Sequence, residues 1–568
     1  MERRAILAAL LMAALLMVYQ LLFVKPPESQ HAGAPAQKKE APAGTPAAPP
    51  SGPSAPSPAA IPPVTPKEPA VVPERSAVVE TPLYRARVES RGGRLTAWDL
   101  RYRGDKPMIV SGELGPRGLM VSRSGAPPAP VAFSLSSESL KLGRDQPQGE
   151  LKLVGEDGFG LRITQTLRFH AESYVVEQEI AVENRHAVAQ SAQLVLAWQA
   201  PVEWPQGVAQ KFQGQHPIRS VRAVGGAVRR EDLGKVTTYE GPGQWVGLES
   251  EWYLTAYAPM SGNFQLVEAK HSEDRPGAAK PVEVAEVGMR ATLPALQPGQ
   301  SWQGRVLTYV GPKEYERLKA LGVGLEKSIY FGGFPLPQTY GGLPMEWLAV
   351  PILWVMHLFY AYTRNYGIAI ILLTVITKVL FFPLTIKSMT SMKAMQALQP
   401  QINAIRSKYK SDAQRMQQET MALYRAHKVN PLGGCLPMVV QVPIFYALYV
   451  ALSVSVELQN QPFICFGRLF GVDLWICDLA SQDPTYVLPL LMGASMFIQQ
   501  KMTPVMGDPR QAKMMLFMPI VFTFMFLNLP SGLVLYWTLS NVLQIAQQKY
   551  MERRAKAEKP VPRLAKRA

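Results

Sequence analysis

The chain has 568 residues, 47% of them hydrophobic, with a net charge of +16 and three cysteines. This length is too great for one domain, and so few cysteines exclude a disulfide scaffold and a cysteine-based zinc site. The lysines and arginines stand beside apolar stretches rather than among aromatic residues. The basic balance therefore favours a membrane over a nucleic acid as partner.

The N-terminus has a charged start followed by an apolar run. Arg3 and Arg4 precede residues 5–24, and ~20 apolar residues are enough for a helix to cross a bilayer. No small-x-small cleavage motif ends the run, so residues 1–24 are predicted to be an uncleaved signal anchor with a cytoplasmic N-terminus. Residues 25–75 are rich in Pro and Ala, which predicts a disordered periplasmic tether.

The hydrophobic pattern then changes to a period of two. Leu161, Ile163, Leu167 and Phe169 alternate with polar residues, as expected for strands with one buried face. Similar runs recur between turn signals, and helical periodicity is scarce. We therefore predict an all-β super-sandwich domain over residues 76–312.

Residues 313–363 return to helical periodicity. Two amphipathic helices are predicted, over residues 313–329 and 344–362, and the second carries Trp347, Trp354 and Tyr360. Aromatic side chains on an amphipathic helix are typical of a helix that lies in the membrane interface.

Lys378 stands in an otherwise uncharged stretch, residues 367–384. A cation at such depth costs roughly 2.5–3.5 kcal/mol on insertion scales and so requires a polar setting. The next charge, Lys387, is about 13 Å away at the helical rise of ~1.5 Å per residue, which a lysine stem does not easily bridge. The alternative is a lysine near a helix end that reaches the headgroups.

Further apolar stretches at residues 432–456, 486–499, 514–529 and 533–546 bring the predicted total to six transmembrane helices. Residues 387–428 carry eight Lys and Arg, and residues 549–567 carry another eight, whereas residues 457–484 carry one Arg against four acids. The positive-inside rule places the two basic segments in the cytoplasm and the β-domain in the periplasm. The expected core is residues 364–548, with a basic cytoplasmic tail at 549–568.

Residues 387–428 are predicted to form a cytoplasmic helical hairpin, because apolar side chains recur on one face of each arm. Flexible methionines suit a surface that accepts many apolar sequences, although core filling explains them as well. The candidate hairpin residues are Met392, Tyr409, Met416 and Tyr424.

Polar residues recur every three to four positions in the last apolar stretch, where they mark one helix face. Such residues line a wet cavity or form ordinary interhelical hydrogen bonds. The residues in question are Trp537, Ser540 or Asn541, Gln544, and Gln547 or Gln548. Thr374, one turn before Lys378, and Gln441 in the third span are further candidates.

Cys465 and Cys477 fall in one short loop and could pair if that loop lies in an oxidising compartment. We expect no catalytic residues, metal or cofactor. A polytopic transporter or channel with a periplasmic binding domain is the alternative, but internal repeats and paired intramembrane charges are not evident. A membrane-anchored sugar-processing enzyme would require a carboxylate pair or histidine cluster, which we do not find in the β-domain sequence.

Three segments closely resemble the YidC/Oxa family of membrane protein insertases, in its long Gram-negative form. They are residues 430–445 (NPLGGCLPMVVQVPIF), 483–493 (DPTYVLPLLMG) and 530–541 (PSGLVLYWTLSN). The resemblance implies a non-enzymatic insertase and chaperone in the bacterial inner membrane. Its expected partners are nascent membrane proteins, the lipid bilayer, the Sec translocon with its accessory subunits, and the ribosome, reached through the hairpin and basic tail. It is expected to act as a monomer.

The resemblance also implies a substrate groove, open to cytoplasm and lipid, around a positive residue of the second span. Lys378 occupies that position, where bacterial members usually carry Arg. Lysine keeps the charge but lacks the bidentate fork of a guanidinium. The groove residues expected on this basis are Lys378, Thr374, Gln441, Tyr536, Trp537 and Asn541.

Overall fold

The computed structural model describes residues 74–557, apart from 103–104, 111–112, 124–126, 205–215, 275–279, 332, 335–342, 411, 428, 430–435, 470–471 and 503–508. The predicted anchor at residues 1–24 and nearly all of the tether lie outside the described residues, as does the end of the basic tail at 558–568.

The strands, in chain order, are β1 (Ser76–Glu80), β2 (Tyr84–Glu89), β3 (Leu95–Arg101), β4 (Asp105–Pro107), β5 (Gly115–Ser122), β6 (Ala129–Pro130), β7 (Ala132–Leu135), β8 (Ser139–Lys141), β9 (Gln148–Glu156), β10 (Leu161–His170), β11 (Val175–Asn184), β12 (Gln193–Pro201), β13 (Arg219–Val224), β14 (Ala227–Asp232), β15 (Tyr239–Gly241), β16 (Trp245–Glu249), β17 (Tyr253–Ser261), β18 (Gln265–Glu273), β19 (Val282–Thr292), β20 (Ser301–Pro312), β21 (Gly333–Phe334), β22 (Leu343–Pro344), β23 (Ile464–Leu469) and β24 (Val472–Ile476).

Strands β1–β20 form three sheets, with the orders β4-β3-β2-β1-β8, β14-β13-β16-β17-β20-β11-β10-β9-β7 and β15-β18-β19-β12-β5-β6. The alternation read from the sequence matches the observed burial, since Leu161, Ile163 and Phe169 are fully buried on β10. The strand pairs antiparallel with β9 and β11, and Trp98, Trp198 and Trp245 are buried in the same core. The predicted large all-β domain is therefore confirmed.

The helices are α1 (Tyr315–Ala320), α2 (Glu346–Thr363), α3 (Tyr366–Leu380), α4 (Phe382–Ala397), α5 (Gln399–Lys408), α6 (Ala413–Ala426), α7 (Leu436–Val454), α8 (Val487–Met502), α9 (Pro509–Phe526) and α10 (Ser531–Ala557). Helix α10 packs against α8, α3 and α7, and α2 packs against α3 and α7. The helical C-terminal region expected from the sequence is present.

One expectation for the helices is wrong. The continuous amphipathic helix expected over residues 313–329 is instead the short α1 and a 3-10 turn at Leu325–Ser328, because Gly322 and Gly324 between them adopt positive φ. Leu318 and Leu325 are buried in the β-domain core, so this segment is not an interfacial helix. Helix α10 continues to Ala557, so the first part of the predicted basic tail at residues 549–568 is helical.

Helix α2 has the two faces expected of an interfacial helix. Ala349, Leu353 and Met356 are buried, whereas Trp347 and Trp354 are about three-fifths exposed, at 61% and 58%. Among the described residues no single helix is both long and apolar enough to cross a membrane alone, whereas α3 and α4 meet both criteria together across a bend of 58°. The predicted count of six spans is therefore not confirmed.

The β-domain contacts one end of the helical region directly. The Trp252 indole nitrogen donates to the carbonyl of Ser453 at 3.1 Å, and the Tyr253 hydroxyl donates to Gln459 at 3.1 Å. Val450 and Ala451 of α7 belong to the β-domain core. The two regions therefore share a packed junction at the C-terminal end of α7.

Charged side chains are enclosed in this junction. His357 lies 3.4 Å from the carboxylate of Glu457. Burial raises the pKa of the Glu314 carboxyl, and the nearby Glu457 raises it further, although the Arg317 guanidinium opposes both effects. The junction consequently contains a partly buried histidine–carboxylate contact as well as apolar packing.

Candidate functional site

Lys378 lies in the last turn of α3, just before the bend. The bend occurs at Phe381 because Pro383 has no N–H to donate to the carbonyl of Val379, and its ring would clash there in a continuous helix. The stretch predicted as one span over residues 367–384 is therefore bent by 58° rather than straight. The lysine is nearer a helix end than the sequence indicated.

The ammonium of Lys378 is directed towards another helix. Its Nζ donates to Oε1 of Gln544 on α10 at 3.0 Å. No acidic side chain of the described residues lies within ion-pair distance of it, so its hydrogen-bond partner is a neutral amide. The half-buried charge thus remains uncompensated by a carboxylate in the part of the chain that the structure describes.

A cavity of about 410 Å³ adjoins this contact. Gln547 contributes a second polar group to the wall of the cavity. Its Oε1 atom is buried and has no hydrogen-bond partner among the described residues. The lining is otherwise apolar, apart from the lysine itself. The lining residues are Val375, Lys378, Val379, Phe382, Pro383, Leu543 and Gln547.

Tyr536 joins three helices through its hydroxyl group. The side chains of Thr377 on α3 and Gln441 on α7 both lie close to this hydroxyl. Thr374 is fully buried and donates to the carbonyl of Ile370 in its own helix at 2.6 Å. Tyr536 and Gln441 are therefore brought together, whereas the Thr374 hydroxyl bonds within α3.

The remaining two candidates contact other partners. The Trp537 ring packs edge-on against Phe445, with centroids 4.4 Å apart, and against Phe526 at 5.0 Å. Asn541 is buried, and its Nδ2 donates to Oγ of Ser495 on α8 at 3.2 Å. Together, the two residues contact the helices that pack against α10, namely α7, α8 and α9. Neither residue lines the cavity beside Lys378.

The six predicted groove residues thus lie along one helical packing region but do not form a single cluster. Gln544 is the direct partner of Lys378, and the helical spacing of polar residues in the last stretch pointed to it. Thr377, Phe445 and Ser495 were missed. Thr377 could have been found because it stands three residues after Thr374, but no local signal marks the other two.

The hairpin residues lie on α4, just after α5, and on α6. Met392 is half-buried in α4, Tyr409 follows α5, and Met416 and Tyr424 are half-buried in α6. Helices α5 and α6 pack together as the two arms. The Lys408 ammonium lies 5.3 Å from the Tyr409 ring centroid.

Cys465 and Cys477 form a disulfide, with a Cα–Cα distance of 4.7 Å. It closes the hairpin made by β23 and β24. The pairing that the sequence left open is therefore present in the structure.

Two family models together match most of the chain, from residue 76 to residue 559. The YidC periplasmic domain matches residues 76–355, and the 60Kd inner membrane protein family matches residues 358–559. A protein of Syntrophus aciditrophicus (strain SB), named membrane protein insertase YidC, is 39% identical over 495 residues, which cover 84% of this chain and 85% of that protein. The chain belongs to the YidC family of membrane protein insertases.

A second member of the YidC family, from Geobacter metallireducens, is 36% identical over 566 residues and covers 97% of this chain and 98% of its own. Among solved structures, an active YidC insertase crystal structure with the first transmembrane domain resolved is 19% identical, covers 86% of this chain and 95% of that chain, and has a TM-score of 0.34. The resemblance stated from the sequence motifs is confirmed by the family models and the sequence relatives.

Proposed function

We propose that the chain is a membrane protein insertase and chaperone of the bacterial inner membrane. It receives nascent hydrophobic segments in a hydrated, positively charged groove around Lys378, open to cytoplasm and lipid, and releases them into the bilayer. It does so alone or with the Sec translocon, and without an enzymatic step. Membership of the family supports the general role, because the relatives are named as insertases.

The observation that carries the proposal is the state of Lys378. Its ammonium rests on the neutral Gln544 amide at 3.0 Å, beside a cavity of about 410 Å³. An ammonium carries three donors, and the described contacts use one of them. The charge is thus free to attract the acidic or hydrophilic part of an incoming chain.

Exposed apolar side chains at the end of α3 and on α9 support the second half of the proposal. Val379 and Leu380 are 68% and 67% exposed at the end of α3, and Phe517 and Phe524 are 64% and 69% exposed on α9. Large exposed apolar patches mark a protein or membrane contact. The apolar part of a substrate leaves the polar contact and passes along such surfaces into lipid.

The topology we propose has six spans, cytoplasmic termini and a periplasmic β-domain. The distribution of Lys and Arg supports it, and so does the Cys465–Cys477 disulfide, because disulfides persist in oxidising compartments such as the periplasm. The helical hairpin and the basic tail then face the cytoplasm, where both can contact the ribosome. Lys378, Thr374, Gln441, Tyr536, Trp537 and Asn541 remain the proposed groove residues, and the working unit is a monomer.

Substitution of Lys378 tests the electrostatic role. Lys378→Arg retains the charge and is expected to insert Sec-independent substrates normally, whereas Lys378→Ala and Lys378→Glu impair those with acidic translocated segments. Lys387→Glu is the matched control, because Lys387 is an exposed lysine on α4. If Lys378→Glu inserted each of several such substrates at the rate of the unaltered chain, the charge would have no role.

A further inference from the structure

The loop between α7 and α8 carries a hairpin, β23 and β24, which we call the loop hairpin (residues 464–469 and 472–477). The Cys465–Cys477 disulfide closes its open end. Ile476 is fully buried in the helical core, and so is Leu479 just beyond it. The base of the loop hairpin is therefore part of the helical core rather than a free loop.

The start of α3 holds this base in place. Asn365 caps α3 by accepting from the Ile368 N–H at 3.1 Å, and its Nδ2 donates to the carbonyl of Phe463 at 3.0 Å. The Phe463 ring fills the space above Gly367, where a Cβ atom would come within 2.1 Å of it. The loop hairpin is thus anchored at the helix ends that we assign to the periplasmic side.

The outer side of the loop hairpin is apolar and exposed. The Phe466 ring is 71% exposed and stacks parallel to Trp475, with centroids 6.0 Å apart. Together with Leu474, Thr485 and Val487 these rings line a cavity of about 490 Å³ between the loop hairpin and the first turn of α8. This volume falls within the ~300–1,000 Å³ of small-molecule clefts.

The chemistry of the lining favours a lipid chain over a protein segment. Specific protein interfaces carry about one hydrogen bond per 100–200 Å². The lining offers two polar groups, and neither reaches outward: the Thr485 hydroxyl already donates to Asp483 at 2.7 Å, and the Trp475 indole N–H is buried, without a partner among the described residues. Among the described lining residues none is charged.

The cavity is continuous with an apolar face of α8. Val487 belongs to both, and one turn further on Leu490 and Leu491 are 60% and 51% exposed. In a membrane-spanning helix such a face contacts acyl chains, and aromatic residues such as Phe466 and Trp475 at its end match the aromatic belt of the interface.

We propose that the loop hairpin and the first turn of α8 form a cleft that binds the acyl chain of a phospholipid in the periplasmic leaflet, with the disulfide holding the Phe466–Trp475 wall in position. The proposal rests on the membrane placement given under Proposed function. It adds a lipid site at the periplasmic end of the core, away from Lys378.

Photo-crosslinking of the full chain in nanodiscs of phosphatidylethanolamine and phosphatidylglycerol tests the cleft. Benzoylphenylalanine replaces Phe466, and in separate variants it replaces Phe524, which is 69% exposed on α9, or Met260, which is 54% exposed on β17 of the β-domain. Lipid adducts are expected at 466 and 524 and not at 260. Protein adducts at 466, or no adduct there while 524 labels lipid, would overturn the cleft and leave the insertase proposal standing. No lipid at either position would overturn the membrane placement as well.

The part played by the disulfide is tested at the same position. A Cys465→Ser/Cys477→Ser double variant is expected to give a severalfold lower lipid yield at 466, because the wall is no longer held. Cys435→Ser is the control that removes a thiol outside the loop hairpin and is expected to keep the full yield. Reduction of the folded, reconstituted protein with dithiothreitol repeats the comparison without a substitution. An unchanged yield in both experiments would show that the disulfide does not hold the wall.

Discussion

Replacing Gln544 by glutamate would convert the Lys378 contact into an ion pair without removing the lysine. The two side chains already meet at 3.0 Å, so the new carboxylate needs no rearrangement to neutralise the ammonium. We expect Gln544→Glu to resemble Lys378→Ala in insertion, although the two substitutions are on different helices. The shared property is a net local charge of zero.

The size of the effect follows from Coulomb's law. A substrate carboxylate about 4 Å from the ammonium gains about 1 kcal/mol in bulk water and about 4 kcal/mol at the effective dielectric constant of ~20 typical near a protein surface. Since each ~1.36 kcal/mol changes a rate tenfold, neutralisation slows insertion about fivefold to several hundredfold. Because Lys378 is half-buried, we expect the slowing of insertion to lie between these two limits.

The assay is the insertion rate of a Sec-independent substrate with one Asp in its translocated segment, compared with its Asp→Asn form. The local charge is +1 in the unaltered chain and in Lys378→Arg, zero in Lys378→Ala and in Gln544→Glu, and −1 in the Lys378→Ala/Gln544→Glu double variant. Gln544→Leu keeps the charge and loses only the acceptor, which costs about 0.6 kcal/mol for an average interhelical hydrogen bond.

Rates for the acidic substrate should fall in the order of the local charge, and rates for the Asn form should change little. Equal rates for Gln544→Glu and the unaltered chain with the acidic substrate would refute the electrostatic reasoning. A rate for Gln544→Leu as low as that for Gln544→Glu would assign the effect to the lost hydrogen bond instead.

Two further predictions concern stability. Gly367→Ala places a Cβ within 2.1 Å of the Phe463 ring, and such overpacking should lower the free energy of unfolding by about 1–3 kcal/mol. Gly143→Ala is the control, because no atom lies within 4 Å of its new Cβ, and it should leave the thermal midpoint in detergent unchanged. Equal midpoints for the two variants would contradict the close packing at Gly367. Burial raises the pKa of Glu231, but hydrogen bonds from the Thr237 N–H and hydroxyl and from a neighbouring arginine outweigh it, so the pKa falls below its ordinary value of 4.5. Because the pKa of Glu231 is lower in the folded protein, the stability lost in Glu231→Gln should be largest above pH 4.5 and should vanish as the pH falls through the folded pKa. Urea unfolding of both proteins at several pH values would measure this loss.

The β-domain could be predicted because its signal is local. Alternate residues of a strand face opposite sides of a sheet, so the fully buried Leu161, Ile163 and Phe169 are visible as a period of two in the chain. The order of the strands is not local. The pairing of β11 with β20 joins residues more than a hundred positions apart, and no pattern within either strand specifies it.

The helix expected over residues 313–329 was wrong for a tertiary reason. Its apolar side chains recur with a helical spacing, but Leu318 and Leu325 reach the β-domain core from two separate short turns. The glycines at 322 and 324 were the available signal, because each adopts positive φ and interrupts the helix.

The site was predicted as far as residue type and helix face allow. An isolated lysine in an apolar stretch and a row of polar residues on another helix predict a polar contact between them. The rotation and depth of α10 against α3 decide which residue of the row meets Lys378. Those quantities depend on packing of Trp537 against Phe445 and of Asn541 against Ser495, which the sequence does not specify locally.

The geometry around Lys378 suits a lysine, at a position where the resemblance led us to expect an arginine. A guanidinium is planar and presents five donors in a fixed fork, whereas an ammonium is a compact charge whose three donors rotate. Here the acceptor is a single amide oxygen on Gln544, and the chain bends at Phe381 within a turn of the lysine. Gln544 satisfies one rotating donor of the ammonium and leaves two for the substrate. The five donors of a guanidinium would meet only the Gln544 oxygen and the unpaired Oε1 of Gln547 in an otherwise apolar wall. We therefore expect lysine to attract a carboxylate without clamping it, in keeping with the release of substrate that we propose.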